Sequence, residues 1–234
     1  MGIGQTYPVN SYESILKCIN SGADGSEIDV QLTHDSILVA YHGGELSDNT
    51  NKSGLINDYN WHELTNVYYT NTPYLNYSLL SLDQLFSSIE NLHNYKFTFD
   101  CKLYTNNNLE EYKNVFINSI VNIVNKYDLI NNLYIESTSI DLLIKLQEQN
   151  DNFKLFFYPS SFKEGLDTAL VYNFSGITIS TDNISKEQIE IAHNKGLFVA
   201  IWNCHSRDRN IDAIKKNPDI IQTDKVNHLI KLLE

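Results

Sequence analysis

Two short segments set acids and a base at strand spacing. In Ser26-Glu27-Ile28-Asp29-Val30 two carboxylates alternate with apolar residues, and in Phe99-Asp100-Cys101-Lys102 an acid and an ammonium are placed the same way. Residues two apart on a β-strand project from one face, so Glu27 and Asp29 point together, as do Asp100 and Lys102. Three carboxylates arriving from two strands would make a hard oxygen site for one divalent cation, Mg2+ or Ca2+, with Lys102 beside it for an anionic substrate. His42 ends the apolar run 37–42. With an ordinary pKa of about 6.5 it is a candidate proton donor or acceptor, and a nearby metal-bound phosphate would hold its charged form.

Plainer readings compete with each of these. An acidic pair on one strand is more often a solvated face or a salt bridge, and a lone histidine at a strand end is more often structural. The second pair, together with His42, favours chemistry. Buried carboxylates cost several kcal/mol unless paired or metal-bound, and only Lys102 is an evident cation near these strands. Trp202 is either barrel core or a flat apolar wall for the alcohol part of a substrate. His34, His62, His93, His193, His205 and His228 fall on turns or helix surfaces and are expected to face solvent; of these, His205 follows Trp202-Asn203-Cys204 at a strand end.

The elements that must position these groups alternate along the chain. Strands are expected at 26–32, 37–42, 97–103, 133–136, 154–158, 176–179, 197–202 and 220–223. Helices are expected at 11–21, 82–92, 109–127, 140–149, 186–195, 207–216 and 226–233. Such alternation calls for parallel strands joined by crossover helices. Asn10 is expected to cap the first helix, with Glu13 in capping-box position. Only a turn, 33–36, separates the first two strand segments, which therefore read as a hairpin or a strand with a short return. The polar stretch 43–77 is long enough to be a functional loop or an inserted subdomain. The chain, 1–234, reads as a single domain with a loop insertion at about 43–77.

With 234 residues and 42% hydrophobic content the chain can bury a large core. Its formal net charge of −12 argues against a nucleic-acid or anionic-membrane partner, because phosphate-backbone binding needs clustered Lys and Arg. Any phosphate must be held locally. Cys18, Cys101 and Cys204 have no metal-binding spacing and read as ordinary thiols. No apolar run is long enough for a transmembrane segment, and the first ten residues lack a signal-peptide pattern. As the chain stands a cytoplasmic protein is expected, or a periplasmic or secreted one if a signal precedes it. The oligomeric state is not legible.

The run 22–42, with Gly22-Ala23-Asp24-Gly25 ahead of the acidic pair and Thr33-His34-Asp35-Ser36 before the second apolar segment, resembles the signature of the glycerophosphodiester phosphodiesterase family. Pro8-Val9-Asn10-Ser11 is similar to that family's Pro-Glu-Asn-Thr segment, Thr50-Asn51-Lys52-Ser53-Gly54 to its loop after the second histidine, and Ile221-Gln222-Thr223-Asp224 to its last strand. The resemblance implies an α/β fold, a TIM-type (β/α)8 barrel, that hydrolyses glycerophosphodiesters to glycerol 3-phosphate and an alcohol with one divalent cation and two histidines. It implies Glu27, Asp29 and Asp100 as metal ligands, Lys102 as the phosphate contact, His42 as the second histidine and Trp202 as the aromatic wall of a glycerol pocket.

Three positions depart from the pattern. Of the family's first His-Arg-Gly only Gly2 remains, so the first strand is expected to be partly or wholly missing and the first histidine to precede the chain. Gly43 follows His42 where the family has Asp. Asp100 replaces the usual Glu, as in the related sphingomyelinase-D-type phospholipases. The alternatives are thus a catalytically impaired homologue that still binds metal and phosphoester, or a sphingomyelinase-D-like phospholipase.

Overall fold

A computed structural model describes residues 7–71 and 77–234. The expectation of a truncated first strand falls on residues 1–6 and lies outside the described residues. Among the described residues nine strands form one sheet: β1 (Gly25–Leu32), β2 (Leu38–Ala40), β3 (Leu80–Ser81), β4 (Lys96–Cys101), β5 (Leu133–Ser137), β6 (Lys154–Phe157), β7 (Gly176–Ser180), β8 (Phe198–Cys204) and β9 (Ile220–Thr223). Their order is β3-β2-β1-β4-β5-β6-β7-β8-β9. From β1 through β4 to β9 every pairing is parallel. β2 is the expected hairpin partner, running antiparallel to β1, and it pairs in turn with β3.

The helices are α1 (Tyr12–Asn20), α2 (Trp61–Leu64), α3 (Leu82–Ser88), α4 (Leu109–Tyr127), α5 (Ile140–Gln149), α6 (Phe162–Tyr172), α7 (Lys186–Asn194), α8 (Arg207–Lys216) and α9 (Val226–Leu233). All but α2 pack on the outer face of the sheet. Ile28, Val30, Phe97, Phe99, Leu133, Ile135, Ile177, Ile179, Val199 and Ile201 alternate outward and are buried with helix residues such as Ile15, Phe116, Leu142 and Ile189 in one apolar cluster. The intervening residues face the interior. Gln222 of β9 donates to Glu136 of β5 at 3.1 and 3.2 Å, which requires the sheet to curl until distant strands meet across it. This is the α/β barrel of the TIM type. Gly25 permits the close start of β1 against β4, since a Cβ there would lie 1.6 Å from the Lys96 carbonyl oxygen.

Several elements differ from the sequence reading. α6 was not expected: Gly165 sits inside it, and its exposed Leu170, Val171 and Tyr172 blur the apolar stripe. Gly165 is there because a Cβ would lie 2.7 Å from Pro159. Ser11, not Asn10, caps α1, accepting from Ser14 N at 3.2 Å. The second strand stops at Ala40, so Tyr41 and His42 lie beyond it. Within 43–77, the described residues hold two short 3-10 turns and α2, and Leu46, Ile56, Leu64, Val67 and Tyr69 pack with Val39, Tyr41 and Leu79 in a second apolar cluster.

Among the described residues no helix is long and apolar enough to cross a membrane. The three cysteines are free and buried.

Candidate active site

The strand register brings the acids together. Asp29 on β1 is the direct cross-strand partner of Asp100 on β4, and Asp100 that of Glu136 on β5. Three carboxylates thus stand in one row on the interior face, with Glu27 one inward position earlier on β1. Ligand atoms of Glu27, Asp29 and Asp100 all lie within 4.8 Å of one another. Their exposures of 8, 1 and 8% put them out of bulk water. The site lies part-way along β1, where Glu27 is the third of eight residues, because pairing with β2 carries β1 on past the site to Leu32.

Lys102 sits just beyond β4, where its backbone N donates to Val30 O at 2.9 Å and continues the ladder. Its Nζ is 3.1 Å from Asp29 Oδ1 and 2.5 Å from Asp100 Oδ2. Among the described residues, Lys102 is the ammonium that pairs with Asp29 and Asp100. Burial, with Asp29 second, holds the Glu27 carboxyl well above its usual range. Burial also raises Asp100, against the opposing pull of Lys102. Glu136 is pushed up to about 8, by burial first and Asp100 next, although Thr178 Oγ1 donates to it at 2.7 Å and Gln222 also donates. Lys102 is raised despite burial because Asp100 and Asp29 face it. Buried acids held toward their neutral forms by crowding are what a multivalent cation reverses. The all-oxygen donor set and its span fit a hard dication with metal–oxygen distances of roughly 2.0–2.6 Å.

Asn10 was not foreseen here. Its backbone takes a left-handed φ of 63°, its Nδ2 donates to Asp29 Oδ2 at 2.7 Å, and its Oδ1 accepts from Asp29 N at 3.0 Å. The amide holds one carboxylate oxygen of Asp29 while Lys102 holds the other. A helix-start sequence concealed it, because Asn10 and Ser11 are both good caps and only the structure shows which one caps.

His42 is exposed just past β2, near enough to Asp100 for its charge to favour the ionised form of that acid. Trp202, half-buried near the end of β8, lies against Tyr158 with ring centroids 5.6 Å apart. A cavity of about 260 Å³ opens beside the acids, lined by Asp100, Lys102, Leu103, Tyr104, Thr138 and Tyr158. A larger one of about 670 Å³ lies between β1, β9 and α9, and its lining reaches from the strand starts to Glu27 and Gln222. The acid–lysine cluster, not cavity size, marks the reactive end. Of the other histidines, His34, His62, His93 and His205 are exposed as expected, while His193 and His228 are half-buried. His205 pairs with Asp224 at 3.1 Å.

Comparison with known proteins agrees with this geometry. The model of the glycerophosphoryl diester phosphodiesterase family matches residues 2–228. The chain belongs to that family. A Bacillus altitudinis glycerophosphodiester phosphodiesterase is 43% identical over 63 residues, 27% of this chain and 26% of that protein. A Caldanaerobacter subterraneus glycerophosphodiester phosphodiesterase is 35% identical over 63 residues, again 27% of this chain and 26% of the relative. The match thus spans about a quarter of these family members' length. At the level of fold, an Oleispira antarctica phosphodiesterase, solved in complex with the product sn-glycerol-3-phosphate, superposes with a TM-score of 0.86 at 18% identity, covering 99% of this chain and 94% of its own. A Parabacteroides distasonis glycerophosphodiester phosphodiesterase gives 0.78 at 20% identity, over 96% and 89%. Neither the impaired-homologue nor the sphingomyelinase-D-like alternative is favoured by these matches.

Proposed function

We propose that this chain hydrolyses glycerophosphodiesters to glycerol 3-phosphate and an alcohol, with Glu27, Asp29 and Asp100 holding one Mg2+ or Ca2+. The observation that carries the reading is the convergence of three buried carboxylates and Lys102 from two adjacent parallel strands inside a barrel of this family. A bound cation would polarise the phosphoryl oxygens and offset their charge. Lys102 binds the phosphate as a point charge, half-exposed between the acids and the cavity beside them. His42, on the rim, protonates the departing alkoxide. Trp202 and Tyr158 offer flat apolar faces to the glycerol or alcohol carbons while excluding water.

The partner is therefore a small phosphodiester. Incubating the chain with glycerophosphocholine, glycerophosphoglycerol or lysophospholipid, with Mg2+ or Ca2+ and then with excess chelator, tests the reading. Cation-dependent release of glycerol 3-phosphate is expected from the first two. Release of cyclic or lysophosphatidic products from lysophospholipid instead would reject it.

A further inference from the structure

Gln31 follows Glu27 and Asp29 at two-residue spacing on the interior face of β1, with 0% exposure. Its Nε2 donates to Tyr41 O at 2.9 Å and to Gly43 O at 2.6 Å, the two carbonyls flanking His42. Both partners are acceptors, so the amide must present nitrogen; the reverse orientation would set oxygen against two oxygens. Among the described residues Gln31 Oε1 is buried with no hydrogen-bond partner, so the hydrogen bonds of this side chain all go to the two carbonyls.

Other contacts converge on the same three residues. Tyr41 N donates to Asp29 O at 3.0 Å, tying the approach to His42 to the strand that carries the acids. The buried Tyr41 ring anchors itself through its hydroxyl to Glu45 O at 2.9 Å. Gly43 leaves at φ +142°, and a Cβ there would lie 3.3 Å from the Tyr41 ring. Among the described residues the His42 imidazole itself receives no side-chain hydrogen bond. The contacts that place His42 are therefore those of the backbone on either side of it.

We infer that Gln31 is a positioning residue for His42, clamping the carbonyls on either side of it so that the imidazole stands over the acid–lysine cluster. The inference rests on the reading of His42 as proton donor. The test is steady-state kinetics of the full chain with its cation, comparing wild type, Gln31→Met, His42→Ala and the double variant. Two substrates are used: glycerophosphocholine, whose alkoxide needs a proton, and the 4-nitrophenyl diester of glycerol phosphate, whose leaving group does not.

Gln31→Met keeps the side-chain volume and removes a buried unpaired oxygen, so it should fold, which a thermal melt checks. The expected result is a drop in kcat of about 10- to 100-fold on glycerophosphocholine, the scale of an ångström-sized misplacement. KM should stay within about twofold, and the 4-nitrophenyl substrate should be little affected. Adding Gln31→Met to His42→Ala should cost nothing more, because the clamp then has nothing to aim. Gln31→Glu, which sets carboxylate oxygens against the two carbonyls, should reproduce the loss. Equal losses on both substrates, additive losses in the double variant, or an unchanged kcat in Gln31→Met beside a crippled His42→Ala would overturn the clamp alone. Full glycerophosphocholine turnover by His42→Ala would overturn the reading of His42, and the clamp with it.

Discussion

Asn10 and Asp29 hold each other reciprocally, the Asn10 amide donating to the carboxylate at 2.7 Å while its oxygen accepts from the Asp29 backbone N at 3.0 Å. Two bonds between residues 19 apart join the entry to α1 to the centre of β1 and fix the direction of the most buried acid in the cluster.

Asn10→Ala should therefore do two things. Removing a hydrogen bond to a buried charged group costs about 1.5–3 kcal/mol, measurable by urea unfolding. Loss of the group that orients a ligand should weaken cation affinity by about 10- to 100-fold in calorimetric titration. Destabilisation with unchanged cation affinity would leave Asn10 as an anchor for α1 only.

Lys102→Met separates phosphate from cation. The Nζ that bridges Asp29 and Asp100 also borders the cavity beside them. Inhibition by glycerol 3-phosphate should weaken at least about tenfold, the scale of a lost charged hydrogen bond, whereas cation binding should persist because the acids remain. Unchanged inhibition would reject the phosphate contact.

Stability without cation should fall as pH rises. An acid whose folded pKa is raised favours the folded state fully below its unfolded value, and that advantage is lost as pH climbs through the folded value. For Glu136 the window runs from the ordinary 4.5 to about 8, and Glu27 and Asp100 shift in the same direction. The melting temperature in chelator should be higher at pH 5 than at pH 8, and Mg2+ or Ca2+ should raise it more at pH 8. Glu136→Gln should flatten the slope in chelator. Asp29→Ala should lose the protection by cation, and equal protection of this variant and wild type would remove Asp29 from the site.

Much of this architecture is legible from side-chain alternation. Ile28 and Val30 against Glu27 and Asp29 give the outward and inward faces of β1, and the short turn 33–36 gives the hairpin. What could not be read is register across strands. That Asp29, Asp100 and Glu136 share one level depends on how β1, β4 and β5 slide against one another, which no local pattern states. Glu136 ends the expected strand 133–136, but it lacks a paired charge to draw attention. Asn10, Gln31 and Gln222 are neutral amides whose roles arise only from what the fold sets 2.6 to 3.2 Å from them. α6 was missed because its glycine answers to a packing contact with Pro159, not to helix propensity.

Trp202→Ala tests the apolar wall. With Tyr158 left without its ring partner, KM for glycerophosphodiesters should rise at least about tenfold, as expected for loss of a large aromatic contact. The shift in kcat should be smaller. Loss of folded protein without a change in KM per folded molecule would assign Trp202 to the barrel core instead.

The central claim is that one cation sits among Glu27, Asp29 and Asp100. Anomalous diffraction from crystals grown with Mn2+, an oxygen-seeking stand-in for Mg2+, addresses it directly. The account predicts a single strong peak about 2.0–2.6 Å from a carboxylate oxygen of each of the three residues. A peak that omits any of them, or one that lies away from the barrel interior, would contradict it.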